Sequence, residues 1–292
     1  MGSEARAVQT PQRIRVFPRL RISGQWNLYA GLAVVGMMLF LSLLAPWISP
    51  YDPVQNALSV ALKAPSAAHW LGTDNFGRDI FTRVIYAARL DLQIGLIAAA
   101  VPMVIGVALG ALAGYFGGWL DVIVMRIVDV TVSIPFLVLI LSLMAILSQR
   151  VGSGLSSMYI AVFLAGWTAY ARIIRAEVLV QKQQEYVLAC KVLGYGHARI
   201  IFRHILRNAI TPAIVFAMSD IVMCILLASS LSFLGLGVKP PTPEWGAMAA
   251  EGRNFMLQAW WITTMPGLAI GVTGLGFSLI GDGLADRIDQ GD

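Results

Sequence analysis

Six apolar runs, each closed by charged or turn-forming residues, divide the chain: 28–48, 92–113, 123–147, 155–170, 209–236 and 260–280. At about 1.5 Å of rise per residue, a helix of ~21 residues covers about 31 Å, close to the ~30 Å hydrocarbon layer of a bilayer. The fourth run reaches that length if it continues through Ala171, Ile173 and Ile174 while Arg172 extends back to the headgroups. The fifth is long enough to tilt or to hold an irregular turn. Barrel strands would be about ten residues long and alternate in polarity, and these runs do not. The pattern predicts an all-α polytopic membrane protein with six transmembrane helices.

The first run follows Arg13, Arg15, Arg19 and Arg21, as a secretion signal would. Its apolar core exceeds the roughly 7–15 residues of a signal, and Ala45-Pro46-Trp47 is a poor cleavage sequence, so it reads as a retained anchor. Two of the segments between runs are too long to be simple turns. Segment 49–91 opens with Pro50, Asp52 and Pro53, passes Pro65 and the turn formers 72–75 and Gly77, and ends in an amphipathic helix, 79–90, that leads into the second span. Segment 172–208 has almost no proline or glycine apart from Gly194 and Gly196, which predicts a helix, a glycine hinge and a second helix.

Lysine and arginine sort these segments by side. With the N-terminus in the cytoplasm, fourteen of the 21 basic residues fall on cytoplasmic pieces and seven on exterior ones, so both termini are expected inside. The expected layout is a cytoplasmic tail, 1–27, and one membrane domain, 28–292, with exterior loops 49–91 and 238–259 and a cytoplasmic loop 172–208. Composition agrees: 58% hydrophobic and 13% charged residues stand against the ~25% charge of a soluble domain. The net charge of +5 is a topology signal on this reading, not a nucleic-acid footprint. Cys190 and Cys224 lie in unlike settings, which does not suggest a disulfide, and two cysteines with three histidines do not supply a zinc framework.

The cytoplasmic loop carries the strongest chemical signal. Its first helix, 185–193, holds Val187, Leu188, Val192 and Leu193 with only Glu185 and Lys191 charged. A helix this apolar outside the bilayer must cover its surface with lipid or with a protein partner. In the second helix Arg199, Arg203 and Arg207 recur every four residues beside Ile200, Ile201 and Ile205, a basic stripe that also suits lipid headgroups.

The run 185–194 followed by 199–208 resembles the EAA loop of ATP-binding-cassette importer permeases. The likeness extends from about residue 28 to the C-terminus, through 71–74 with Gly77-Arg78-Asp79, 114–118, Met125-Arg126 with Asp129 and Pro135, 232–237, 240–246 and 281–284. More narrowly the chain is similar to the C-type permease of dipeptide and oligopeptide importers, whose relatives also serve nickel and glutathione uptake. The resemblance implies a type I ABC importer permease fold. It also implies a coupling helix, 185–193, seated in a groove of an ATPase subunit, with Glu185, Tyr186, Ala189, Cys190, Leu193, Gly194, Arg199 and Arg203 as docking residues. The residues suit that role: Glu185 is favoured by the free amides of a helix N-terminus, Ala189 permits close approach, and Gly194 frees the turn. Cys190 replaces the usual alanine and reads as a small buried hydrophobe. Arg207 stands where relatives often carry proline, so a more continuous helix into the fifth span is expected. His197 and His204 read as polar loop residues without a metal.

Within the spans, Arg126 and Asp129, one turn apart, are expected to form a structural pair. Asp220, with Ser229, Ser230 and Ser232, is a candidate for lining the passage or pairing with a partner permease. Relatives often carry their acid nearer position 228, here Ala228, so their assignment is not carried over to Asp220. Gly106, Gly110 and Gly114 in the second run, and Gly267, Gly271 and Gly274 with Ala269 in the sixth, form small faces for close helix contact. Pro102, Pro135, Pro212 and Pro266 can bend their helices. Trp245, Trp260 and Trp261 suit an interfacial aromatic belt.

The chain has four lysines and no glycine-rich phosphate loop ending in Gly-Lys-Ser/Thr, so it is expected to be non-catalytic, with ATP and Mg on separate ATPase subunits. The resemblance implies as partners a second homologous permease, two ATPase domains, and an extracytoplasmic peptide-binding protein that meets the exterior loops. A self-contained secondary transporter or channel would leave the apolar loop helix without a purpose. An intramembrane hydrolase would need a motif such as Gly-x-Ser-x-Gly or His-Glu-x-x-His, which is missing here.

Overall fold

The computed structural model describes residues 24–152 and 154–289; the expected tail, 1–27, lies outside the described residues except for its last four. The elements in order are α1 (Gly24–Ile48), α2 (Ile80–Phe116), α3 (Gly118–Ser133), α4 (Phe136–Val151), α5 (Leu155–Gln181), α6 (Glu185–Val192), α7 (His197–Arg199), a π-helical stretch (Ile200–Ile205), α8 (Leu206–Ala209), α9 (Thr211–Phe233), α10 (Trp245–Gly252) and α11 (Trp261–Asp289). Among the described residues the one β pairing is an isolated bridge between Thr73 and Asp79. Five helices are long and apolar enough to cross a membrane, and six if α3 and α4 count together.

The expected amphipathic helix 79–90 and the second span are a single rod. Asp79 caps α2 by accepting from the Thr82 amide at 2.8 Å, and the helix then runs 37 residues to Gly117, whose φ of 66° ends it. At ~1.5 Å per residue this is about 55 Å, so α2 stands well clear of a ~30 Å hydrocarbon layer. Asp91 does not interrupt it, because its buried carboxylate accepts the Trp245 amide at 3.2 Å.

The third span departs from expectation. Instead of one helix over 123–147, α3 and α4 meet at 96°. Ile134, preceding Pro135, is extended (φ −96°, ψ 132°), the conformation that a following proline favours. Pro102 and Pro266 stay inside continuous helices, and the Pro102 ring is packed directly against Gly166 of α5. Pro212 sits in the first turn of α9, where its missing N–H costs nothing.

Close backbone approach organises the bundle. A β-carbon on Gly106 would overlap the Trp167 carbonyl oxygen, on Gly110 it would lie 2.5 Å from that of Ala171, and on Gly114 3.0 Å from that of Arg175, so one glycine face seats α5 on α2. The α1–α11 contact is made likewise by Gly31 against the Gly276 carbonyl. The expected small face of the sixth span is only partly used: Gly274 approaches Val222, while Gly267 and Gly271 face open space. In lipid such contacts stabilise through packing, because apolar side chains lose little by facing acyl chains. One core joins Ile94, Ile140, Met158, Ile225 and Trp245 toward the 49–79 end; a second, around Tyr170, Val187, Ile200 and Ile205, fills the α6 end.

Candidate functional site

The 182–209 segment folds against the end of α2 and α5. Glu185 lies in the exposed first turn of α6, beside amides that have no helical partner, a favourable place for a carboxylate. Val187 is fully buried and Cys190 nearly so, both against Ile200, Ile201 and Ile205. The opposite face is open: Leu188 is exposed, as are Val192 at 88% and Leu193 at 68%, with Ala189 between them. Two apolar side chains of this helix, Val187 and Cys190, are therefore used inside the chain, while Leu188, Ala189, Val192 and Leu193 have no cover within it.

The exit from α6 is rigid. Gly194 is left-handed (φ 77°), its amide bonds the Lys191 carbonyl at 3.0 Å, and the Tyr195 amide bonds the Cys190 carbonyl at 3.1 Å, the paired closure of a Schellman turn. Tyr186 donates to Gln181 Oε1 at 2.7 Å and accepts from Asn208 at 3.3 Å, which ties α5 to α8. Arg199 covers the Tyr195 ring at 4.2 Å, Tyr195 also stacks with His204, and Arg203 is exposed. The second helix is not regular, because 200–205 winds as a π-helix. Ile210 stays helical (φ −76°, ψ −22°), so α8 runs into α9 with a one-residue turn, as expected with Arg207 in place of proline.

Polar ties hold this segment to the bundle. Lys182 Nζ donates to the Gly114 carbonyl at 3.1 Å, and Tyr115 and His197 hydrogen bond at 2.9 Å. Arg175 grips both carboxylate oxygens of Asp121, pinning α3 to α5. The expected pair Arg126–Asp129 does not form: Asp129 pairs with Arg172 of α5 at 3.2 Å, and Arg126 is exposed. The neighbouring helix presents a guanidinium to Asp129 across the α3–α5 contact, so the in-helix spacing is overridden.

The passage candidates do not converge. Asp220 is half-buried and accepts from the buried Tyr170 hydroxyl at 2.7 Å, so it has a partner within its own chain. Ser230 lies about 15 Å further along α9. Ser229 is buried beside Glu244, Ser232 is buried and accepts from the Val238 amide, and Ser230 alone is exposed, in a shallow cleft of about 360 Å³ with Leu226, Phe233 and Ile270. Cys190 and Cys224 are free thiols in separate cores.

The 49–79 end holds an ionic assembly that sequence spacing did not reveal. Arg78 bonds Asp74 at 2.6 Å and Glu251 at 2.6 Å; Arg83 bonds Glu251 at 3.3 Å and the Pro53 carbonyl at 3.0 Å. His69 meets Asp79 at 2.9 Å. Glu244 caps α10 by accepting from the amides of Gly246 and Ala247, each at 2.8 Å. Trp245 is wholly buried, its indole donating to the Val84 carbonyl at 3.0 Å, and Trp261 is buried with its indole on the Thr73 carbonyl at 3.1 Å. Of the three tryptophans expected in an aromatic belt, Trp245 and Trp261 are therefore core residues and Trp260 alone is exposed. The 71–79 motif marked half of this assembly, but its partners Arg83 and Glu251 carry no signature of their own.

The fold defines a polytopic α-helical membrane protein in which, among the described residues, no three His, Cys, Asp or Glu side chains form a group that could hold a metal. Residues 106–291 match the model of binding-protein-dependent transport system inner membrane components, and 28–65 match the N-terminal transmembrane domain of oligopeptide transport permease C. The chain belongs to this family of inner-membrane transport components. It is 43% identical over 256 residues to a probable D,D-dipeptide transport system permease of Escherichia coli strain K12, covering 88% of this chain and 85% of that protein. It is 39% identical over 259 residues to a dipeptide transport system permease of Alkalihalophilus pseudofirmus, covering 89% and 84%, respectively. A glutathione transport system permease of Pectobacterium atrosepticum is 41% identical over 286 residues, 97% of this chain and 92% of that protein.

Proposed function

We propose that this chain is the permease subunit of an ATP-driven importer for di- or oligopeptides, with both termini in the cytoplasm and 28–292 as the membrane domain. The observation that carries this reading is the uncovered apolar face of α6, Leu188, Val192 and Leu193, held at a fixed angle by the Gly194 turn. A surface this apolar in a polar loop calls for a protein groove, and the family's dependence on a binding protein calls for an energy source elsewhere. Two ATPase domains with ATP and Mg dock at α6, with Glu185, Tyr186, Ala189, Cys190, Leu193, Gly194, Arg199 and Arg203 forming or positioning the docking face. A second, homologous permease supplies the other half of the path. An extracytoplasmic peptide-binding protein delivers cargo to 49–91 and 238–259. ATP closes the ATPases, the α6 pair follows, and the ties from Lys182, Tyr115 and Arg175 carry that displacement into α2, α3 and α5.

The identity to a glutathione permease keeps glutathione, itself a small peptide, as the second cargo reading. The experiment is copurification of the chain with its partners, mass spectrometry of the molecules held by the binding protein, and ATP-dependent uptake of those molecules into vesicles. A chain that transports alone on a proton gradient, indifferent to nucleotide, would end this reading.

A further inference from the structure

The two stretches 49–91 and 238–259 together contain six acidic and six basic side chains, so by sequence they are neutral. Folding sorts the two signs differently. Asp74, Asp79, Asp91 and Glu244 are buried, and Glu251 is half-buried between Arg78 and Arg83. The remaining acid, Asp52, is exposed but turned onto its own backbone, accepting from the amides of Val54 at 2.8 Å and Gln55 at 3.0 Å. On the basic side only Arg78 and Arg83 are buried, while Lys63, Arg89, Lys239 and Arg253 are exposed. Carboxylates are taken inside because the loops present them with backbone amides and two arginines, while the other four basic groups stay in solvent. The exposed charged side chains of these two stretches are thus four bases against one acid.

We infer that this end of the chain docks an acidic surface on the extracytoplasmic binding protein, and that the exposed basic groups steer the encounter. The inference rests on the importer reading above, and the dependence on a binding protein that marks the family selects a protein as the occupant. Like-signed groups on a rim act mainly on the rate of association and on its salt dependence, because the opposing charges attract before contact and are screened within about 10 Å at 0.1 M salt.

The test uses the complete transporter in nanodiscs. Stimulation of its ATP hydrolysis by the binding protein is measured first, followed by association kinetics at low and physiological salt. Wild type should associate more slowly as salt rises, and the triple variant Lys63→Glu, Lys239→Glu, Arg253→Glu should associate about tenfold more slowly at low salt with a flattened salt dependence. The triple exchange of the same residues to Arg, Arg and Lys should restore wild-type rates, which separates charge from a folding defect. Equal rates for wild type and the charge reversal, or a wild-type rate indifferent to salt, overturn the inference while leaving the importer reading intact. Loss of retention on phosphatidylglycerol vesicles with unchanged protein association assigns the groups to lipid and also overturns it. A wild-type complex that no binding protein stimulates would instead remove the importer reading itself.

Discussion

Arg78 and Glu251 stand 173 positions apart in the chain, yet the guanidinium Nη2 lies 2.6 Å from the carboxylate Oε2. Glu251 is carried by α10, which sits between α9 and α11, and Arg78 by the loop that precedes α2, so this contact fastens the two loop regions of one end to each other. Deleting it should cost more than a surface ion pair, because Arg83 shares the same carboxylate and both guanidiniums are buried. Glu251→Ala should destabilise the purified chain by about 3–5 kcal/mol, the range for stranding a buried charge. Thermal unfolding in detergent measures this; a midpoint equal to wild type would show that the pair contributes nothing.

The glycine face of α2 yields a paired comparison. Gly110→Leu forces a side chain into the Ala171 backbone and should either block accumulation of the folded protein or lower its stability by at least the ~1–3 kcal/mol of an overpacked contact. Gly267→Ala, which meets nothing within 4 Å, should leave stability within about 0.5 kcal/mol. Similar behaviour of the two variants would contradict the described α2–α5 contact.

At α6, Gly194→Pro imposes a backbone angle that the left-handed turn forbids and removes the amide that bonds Lys191. Ala189→Trp places a large side chain on the open face without touching the buried Val187 and Cys190. Both should abolish uptake and transport-coupled ATP hydrolysis while membrane insertion persists. Full coupled turnover in the two variants would count against docking at this helix.

Asp220 and Tyr170 lend themselves to a double-mutant cycle. If the carboxylate is held chiefly by the tyrosine hydroxyl, Asp220→Asn and Tyr170→Phe should each lower stability by about 1.5–3 kcal/mol, and the double variant should be little worse than either. Strict additivity would mean that Asp220 answers to another partner, such as cargo or the second permease.

Much of this architecture was legible in the linear pattern. Runs of apolar residues long enough to cross the bilayer have no alternative but helix, because unpaired amides in hydrocarbon are too costly. For the same local reason the glycine hinge at 194 was readable, as was the four-residue glycine spacing of α2. The sequence signals a bend at Pro135 but not its 96° size, and it signals one equally at Pro102, where the helix runs on. What separates them is the neighbour: α5 packs against the Pro102 ring, whereas Ile134 and Pro135 are exposed.

The linear order of residues determined that this chain lives in a bilayer as helices, how many times it can cross, and that one short apolar helix lies between two of the long runs. Those properties follow from solvation and hydrogen bonding, which act on each segment separately. The tertiary structure alone decided which side chains meet across long stretches of chain. It gave Asp129 to Arg172 in place of Arg126, buried Trp245 and Trp261 inside the chain, and divided α6 into a covered and an open face. It also turned two neutral loops into a basic surface by drawing their carboxylates inward. Pairings of this kind depend on the distance between folded elements, and no local spacing encodes that distance.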